Sequence, residues 1–128
     1  MNEEERAILD DLAHKVIGAA YEVANQLGAG FLEKVYERSL LREMTLRGIP
    51  VETQVPLTVF YKGERVGEYV ADMVIARKLL VELKCVDHIA GEHLAQCLNY
   101  LKATKCHLAL LINYQHPKIE WKRVVLDF

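Results

Sequence analysis

The run His107–Ile112, HLALLI, constrains the fold of this chain more than any other stretch. After its histidine it is apolar without alternation, which suits a strand covered on both faces and not one with a face in water. Ahead of it, Gly91–Thr104 places Leu94, Cys97, Leu98 and Leu101 on one stripe at helical spacing. Ahead of that helix lies Leu79–Lys84, a short apolar run bearing two charges. Strand, helix and buried strand in this order predict a βαβ unit, hence a parallel pair joined by a right-handed crossover.

Two helices precede the sheet. Residues 3–27 carry Ile8, Leu9, Leu12, Ala13, Val16, Ile17, Ala20, Val23, Ala24 and Leu27 on one stripe, and Gly28-Ala29-Gly30 ends the helix. A second helix runs from about Phe31 to Arg47 with Leu32, Val35, Tyr36, Ser39 and Leu40 inward. Gly48 caps it, and Pro50 prevents its continuation. A β-meander follows: Val51–Val55, Leu57–Tyr61, a Lys62-Gly63-Glu64 turn and a long strand from about Arg65 to Ile75. Past Pro117, Ile119–Leu126 makes a last strand containing Trp121. The fold class is α/β, a mixed central β-sheet with an N-terminal helix pair and one crossover helix. Residues 1–128 read as a single domain long enough to bury a core.

The hairpin Glu68–Lys84, EYVADMVIARKLLVELK, carries the chemistry. Side chains alternate faces along a strand, so Glu82 and Lys84 share a face, with Val81, Leu83 and Cys85 opposite. Val70, Val74 and Leu80 have the parity of Asp72, Glu82 and Lys84, which sets three charges on an apolar face. Ionised groups taken from water cost several kcal/mol each unless they are paired or bind a metal. Whether Asp72 and Glu82 meet depends on the turn. A loop of Arg77-Lys78 alone puts them on opposite sides of the sheet. The three-residue loop Ala76-Arg77-Lys78 sets Asp72 opposite Glu82, Val74 opposite Leu80 and Val70 opposite Lys84. An odd-length loop or a bulge is therefore expected.

Composition limits the function classes. The chain is 52% hydrophobic and 27% charged, which is globular and not disordered. No apolar run nears the roughly 20 residues of a membrane span, and the acidic start MNEEER is unlike a signal peptide. Three cysteines with no CxxC imply a reducing compartment, the cytoplasm by default. A net charge of −2 is low for a protein that grips long nucleic acid.

Asp72 followed ten residues later by Glu82-Leu83-Lys84 resembles the core of the PD-(D/E)xK nuclease superfamily, although Ala71 stands where the name has Pro. On the crossover helix, Gln96 and Tyr100 lie one turn apart, and Gln-x-x-x-Tyr resembles the motif of RecB-like members. Gly30-Phe31-Leu32-Glu33-Lys34-Val35-Tyr36 reads G-x-x-E-x-x-Y, and the chain from about Ala13 to Leu126 is similar to the GxxExxY family of that superfamily.

The resemblance implies a restriction-endonuclease-like core and Mg²⁺- or Mn²⁺-dependent hydrolysis of phosphodiesters. Asp72, Glu82 and the Leu83 carbonyl are implied as metal ligands. Lys84 is implied to orient water or stabilise the phosphorane, and Glu33 to reach the metal through a water, where RecB-like members usually have His. Gln96, Tyr100 and Tyr36 fall on the substrate side, with ordering of Lys84 as the other role of the first two. The implied partner is nucleic acid of either type, with a homodimer or protein partner for recognition.

Plainer roles compete. Glu82 and Lys84 suit a same-face ion pair, Glu33 a helix N-terminus, Tyr36 a core, and Gln96 and Tyr100 a solvated helix face. The cysteines read as core, and His88, His93 and His107 lack zinc spacing. Arg77 and Lys78, with Lys102 and Lys105, form a small candidate phosphate-facing patch. Two function classes follow: a metal-dependent nuclease, or a non-catalytic binding or regulatory protein on a nuclease fold.

Overall fold

A computed structural model describes residues 1–127. The element order is α1 (Glu3–Leu27), α2 (Glu33–Leu46), β1 (Val51–Tyr61), β2 (Glu64–Ile75), β3 (Leu79–Lys84), α3 (Gly91–Thr104), β4 (Leu108–Asn113) and β5 (Glu120–Val125). The five strands form one sheet in chain order, antiparallel except for the parallel pair β3–β4. The expected βαβ unit is therefore present, and β4 is buried along its whole length. Helices cover both faces, which is why β3 and β4 need no polar side.

Two cores lie on the two faces of the sheet. On one, α1 and α2 bury Val16, Ala20, Tyr36, Leu40 and Met44 against Ile75, Val81, Leu83 and Leu110. On the other, α3 buries Cys97, Tyr100 and Leu101 against Leu80, Ala109 and Leu111. Odd and even residues of β3 thus go to different cores, as period two requires. Asn2 caps α1 by accepting from Glu5 N at 2.8 Å.

Three expectations are corrected. Residues 51–61 are one strand and not two, because β1 lies at the sheet edge, where Pro56 costs no ladder donor. Helix α2 begins at Glu33, leaving Leu32 79% exposed at its N-cap; the inward stripe is Tyr36, Glu37, Leu40 and Met44. The third concerns parity along β1 and β2. Met73 and Ile75 pack on the α1–α2 side, yet Ala71 and Leu57 pack on the α3 side. Both strands turn over where Gln54 (φ 51°) lies across from Asp72, between the pairs Thr53–Met73 and Val55–Ala71. Hence Val70 is 47% exposed and is not on a buried face with Asp72. Gln54 is an unusual residue for positive φ, and such strain persists only where surrounding contacts enforce it.

Candidate active site

The β2–β3 turn is the three-residue loop Ala76-Arg77-Lys78, closed by Lys78 N donating to Ile75 O at 2.9 Å. Ala76 and Arg77 hold left-handed backbone, φ 51° and 58°. Ile75 pairs with Leu79, Val74 with Leu80 and Met73 with Val81, so the next position sets Asp72 across from Glu82. There the backbone ladder stops and the two side chains take its donors. Asp72 Oδ2 accepts from Leu83 N at 2.8 Å, and Glu82 Oε1 accepts from Asp72 N at 3.3 Å. The splayed strands keep these amides satisfied only through the carboxylates.

Glu82 is 4% exposed. Burial, then the charge of Asp72 and a hydrogen bond between the two carboxyl groups, push its pKa up to about 9. At neutral pH Glu82 therefore holds a proton against Asp72. Lys84, the last residue of β3, donates from Nζ to Gln96 Oε1 on α3 at 3.3 Å. One turn along α3, Tyr100 is buried, and its ring lies 5.4 Å from that of Tyr69 on β2. Burial, Glu82 and Asp72 raise the Tyr100 pKa to about 12, which places its hydroxyl in the field of the carboxylates.

Glu33 opens α2 with an exposed side chain, at a helix start that has no side-chain cap. Partial burial and then Asp72 raise its pKa, while Lys84 lowers it, so it stands within the same electrostatic cluster. Tyr36 stands apart. It has no exposed surface, stacks on Tyr114 at 4.5 Å, donates to Gly28 O at 2.7 Å and accepts from Phe31 N at 3.3 Å. Its hydroxyl braces the α1–α2 loop and is not presented to a substrate.

Two supporting residues escape sequence patterning. Glu37 on α2 is buried, accepting from Gln54 Nε2 at 2.6 Å and pairing with Lys34 at 3.0 Å. It thereby ties down the residue across from Asp72. Asn113, 1% exposed at the end of β4, accepts from Val86 N and donates to Val86 O, fixing the chain just past Lys84. Polar residues at inward positions were the only signal available for Glu37 and Asn113.

Among the described residues, no group of three or more His, Cys, Asp or Glu side chains converges as a metal cage. Asp72 and Glu82 instead bring two carboxyl groups together, a hard oxygen donor pair. Mg²⁺ is commonly held by one or two carboxylates, its other positions taken by water and phosphate. The proton on Glu82 offsets the charge conflict that a cation would remove, so the residues fit a divalent ion.

A family model described as the PD-(D/E)XK nuclease superfamily matches residues 10–124. The chain belongs to that superfamily, whose nucleases generally use divalent metals. Among solved structures it is similar to the crystal structure of SSO0001, with a TM-score of 0.58 and 18% identity. The alignment covers 73% of this chain and 50% of that one, and at this identity the likeness is one of fold. This chain thus matches about half the length of SSO0001. A search of curated proteins found no match. No helix among the described residues is long and apolar enough to cross a membrane.

Proposed function

We propose that the protein hydrolyses phosphodiester bonds of nucleic acid with Mg²⁺ or Mn²⁺. The observation that carries the proposal is the meeting of Asp72 with the buried Glu82, each bonded to the other strand's backbone, beside a lysine held by Gln96. Asp72, Glu82 and the Leu83 carbonyl would hold the ion, with Glu33 reaching it through water. A bound divalent ion supplies a more acidic water and neutralises phosphate charge.

The chain's own residues do the rest. Water adds to phosphorus as the ester P–O bond breaks, and the departing oxygen takes up a proton. Lys84 has three ammonium protons, of which Gln96 engages one. The others are free to bond the incoming water and a phosphate oxygen, where negative charge grows in the transition state. Gln96 fixes the direction of that ammonium, and Tyr100 closes the site from the α3 side with a hydroxyl that stays protonated at neutral pH. Tyr36 supports the loop that carries Glu33.

Within the superfamily we place the chain in the GxxExxY group, on Gly30, Glu33 and Tyr36, with RecB-like Gln96 and Tyr100. The free Cys85, Cys97 and Cys106 fit a reducing, cytoplasmic location. Recognition is assigned to a homodimer or protein partner.

The test is cleavage of single- and double-stranded DNA and RNA in Mn²⁺. Lys84→Ala is expected to abolish cleavage while leaving Mn²⁺ affinity nearly unchanged, because the ammonium acts on water and phosphate. Absence of cleavage by the wild-type protein on all four substrates would favour a non-catalytic binding or regulatory role.

A further inference from the structure

The outer halves of β1 and β2 extend beyond β3 and lean over α3, leaving a groove of about 470 Å³ between them. Thr58, Phe60 and Tyr69 line it from the hairpin, and Asn99, Lys102 and Lys105 from α3 and its end. The lining contains two lysines and no carboxylate, in a chain whose net charge is −2. Among the described residues, neither lysine is held in an ion pair. Phe60 and Tyr69 are 65% and 47% exposed, although burial is the usual state of such rings.

The groove adjoins the catalytic cluster. Tyr69 touches Tyr100, and Tyr100 lies one helical turn from Gln96, the partner of Lys84. Aromatic faces open to solvent suit bases that are not already stacked in a duplex, and lysines beside them suit the linking phosphates. We infer that this groove holds a single-stranded polynucleotide as it passes to or from the scissile phosphate. Bases stack on Phe60 and Tyr69, and Lys102 and Lys105 take phosphates. The inference rests on the hydrolytic reading for its direction but not for its binding.

Fluorescence anisotropy in EDTA separates the two, since no cleavage occurs there. The probes are fluorescein-labelled oligothymidylate, oligouridylate and a blunt DNA duplex of equal length. The wild-type protein is expected to bind the single strands more tightly than the duplex, and the two homopolymers compared identify the sugar. Phe60→Ala should weaken single-strand binding about tenfold. Lys102→Gln with Lys105→Gln should reduce the slope of log affinity against log salt by about 1.4, the share of two single-strand phosphates. Equal affinity for duplex and single strands, or single-strand binding unmoved by both variants, overturns the inference. A protein that binds in this way but never cleaves in Mn²⁺ keeps the groove and loses the hydrolytic reading.

Discussion

Asp72 and Glu82 each serve two purposes, capping the amides where strands β2 and β3 part and presenting oxygens to the same small space. Burial and the neighbouring charge of Asp72 keep Glu82 from ionising at neutral pH without a cation. The folded pKa, about 9, lies above the ordinary 4.5. The contribution of Glu82 to stability is therefore complete below about 4.5 and is lost as pH rises through about 9. Without metal, the melting temperature of the wild type relative to Glu82→Gln is expected to fall across that window. Thermal melts of the two proteins check this, and a constant difference would contradict it. These charges were legible in the sequence because they interrupt apolar strands at even spacing. Glu37 and Asn113 were not, since a buried polar residue is explained only by its partner, and theirs come from β1 and from the loop after β3.

Elements bring those residues together through two backbone departures. In the β2–β3 loop, Ala76 sits at φ 51°, where glycine lacks the Cβ penalty of a left-handed conformation. Ala76→Gly should stabilise the protein by up to about 1 kcal/mol, read from denaturant midpoints, and leave the Asp72–Glu82 register in place. Across the sheet, the buried Glu37 holds Gln54 at φ 51°. Glu37→Ala leaves that strain unsupported and should cost about 1–3 kcal/mol, measured in the same way; an unchanged midpoint would remove Glu37 from its bracing role. Parity alone called for an odd loop or a bulge if the two carboxylates were to meet, and the chain uses the odd loop. The turning-over of β1 and β2 at Gln54 could not. Period-two reading assumes an unbroken strand, and glutamine carries no signal for positive φ.

At the scale of the molecule, α1 and α2 cover one face of the sheet and α3 the other, and the candidate centre opens where β2 leaves β3. The mixed sheet and crossover were readable from HLALLI, since a strand apolar on both faces needs helices on both sides. The reach of the outer hairpin over α3 was not, because the packing of exposed aromatics leaves no periodic trace. The central claim is that Asp72 and Glu82 hold a divalent ion in exchange for a proton. Calorimetric titration of Mn²⁺ near neutral pH, repeated in buffers of different ionisation enthalpy, tests it most directly. The account predicts binding with release of about one proton, and no binding when Asp72→Asn and Glu82→Gln are combined. Binding that survives the double substitution, or no binding by the wild type, would contradict it.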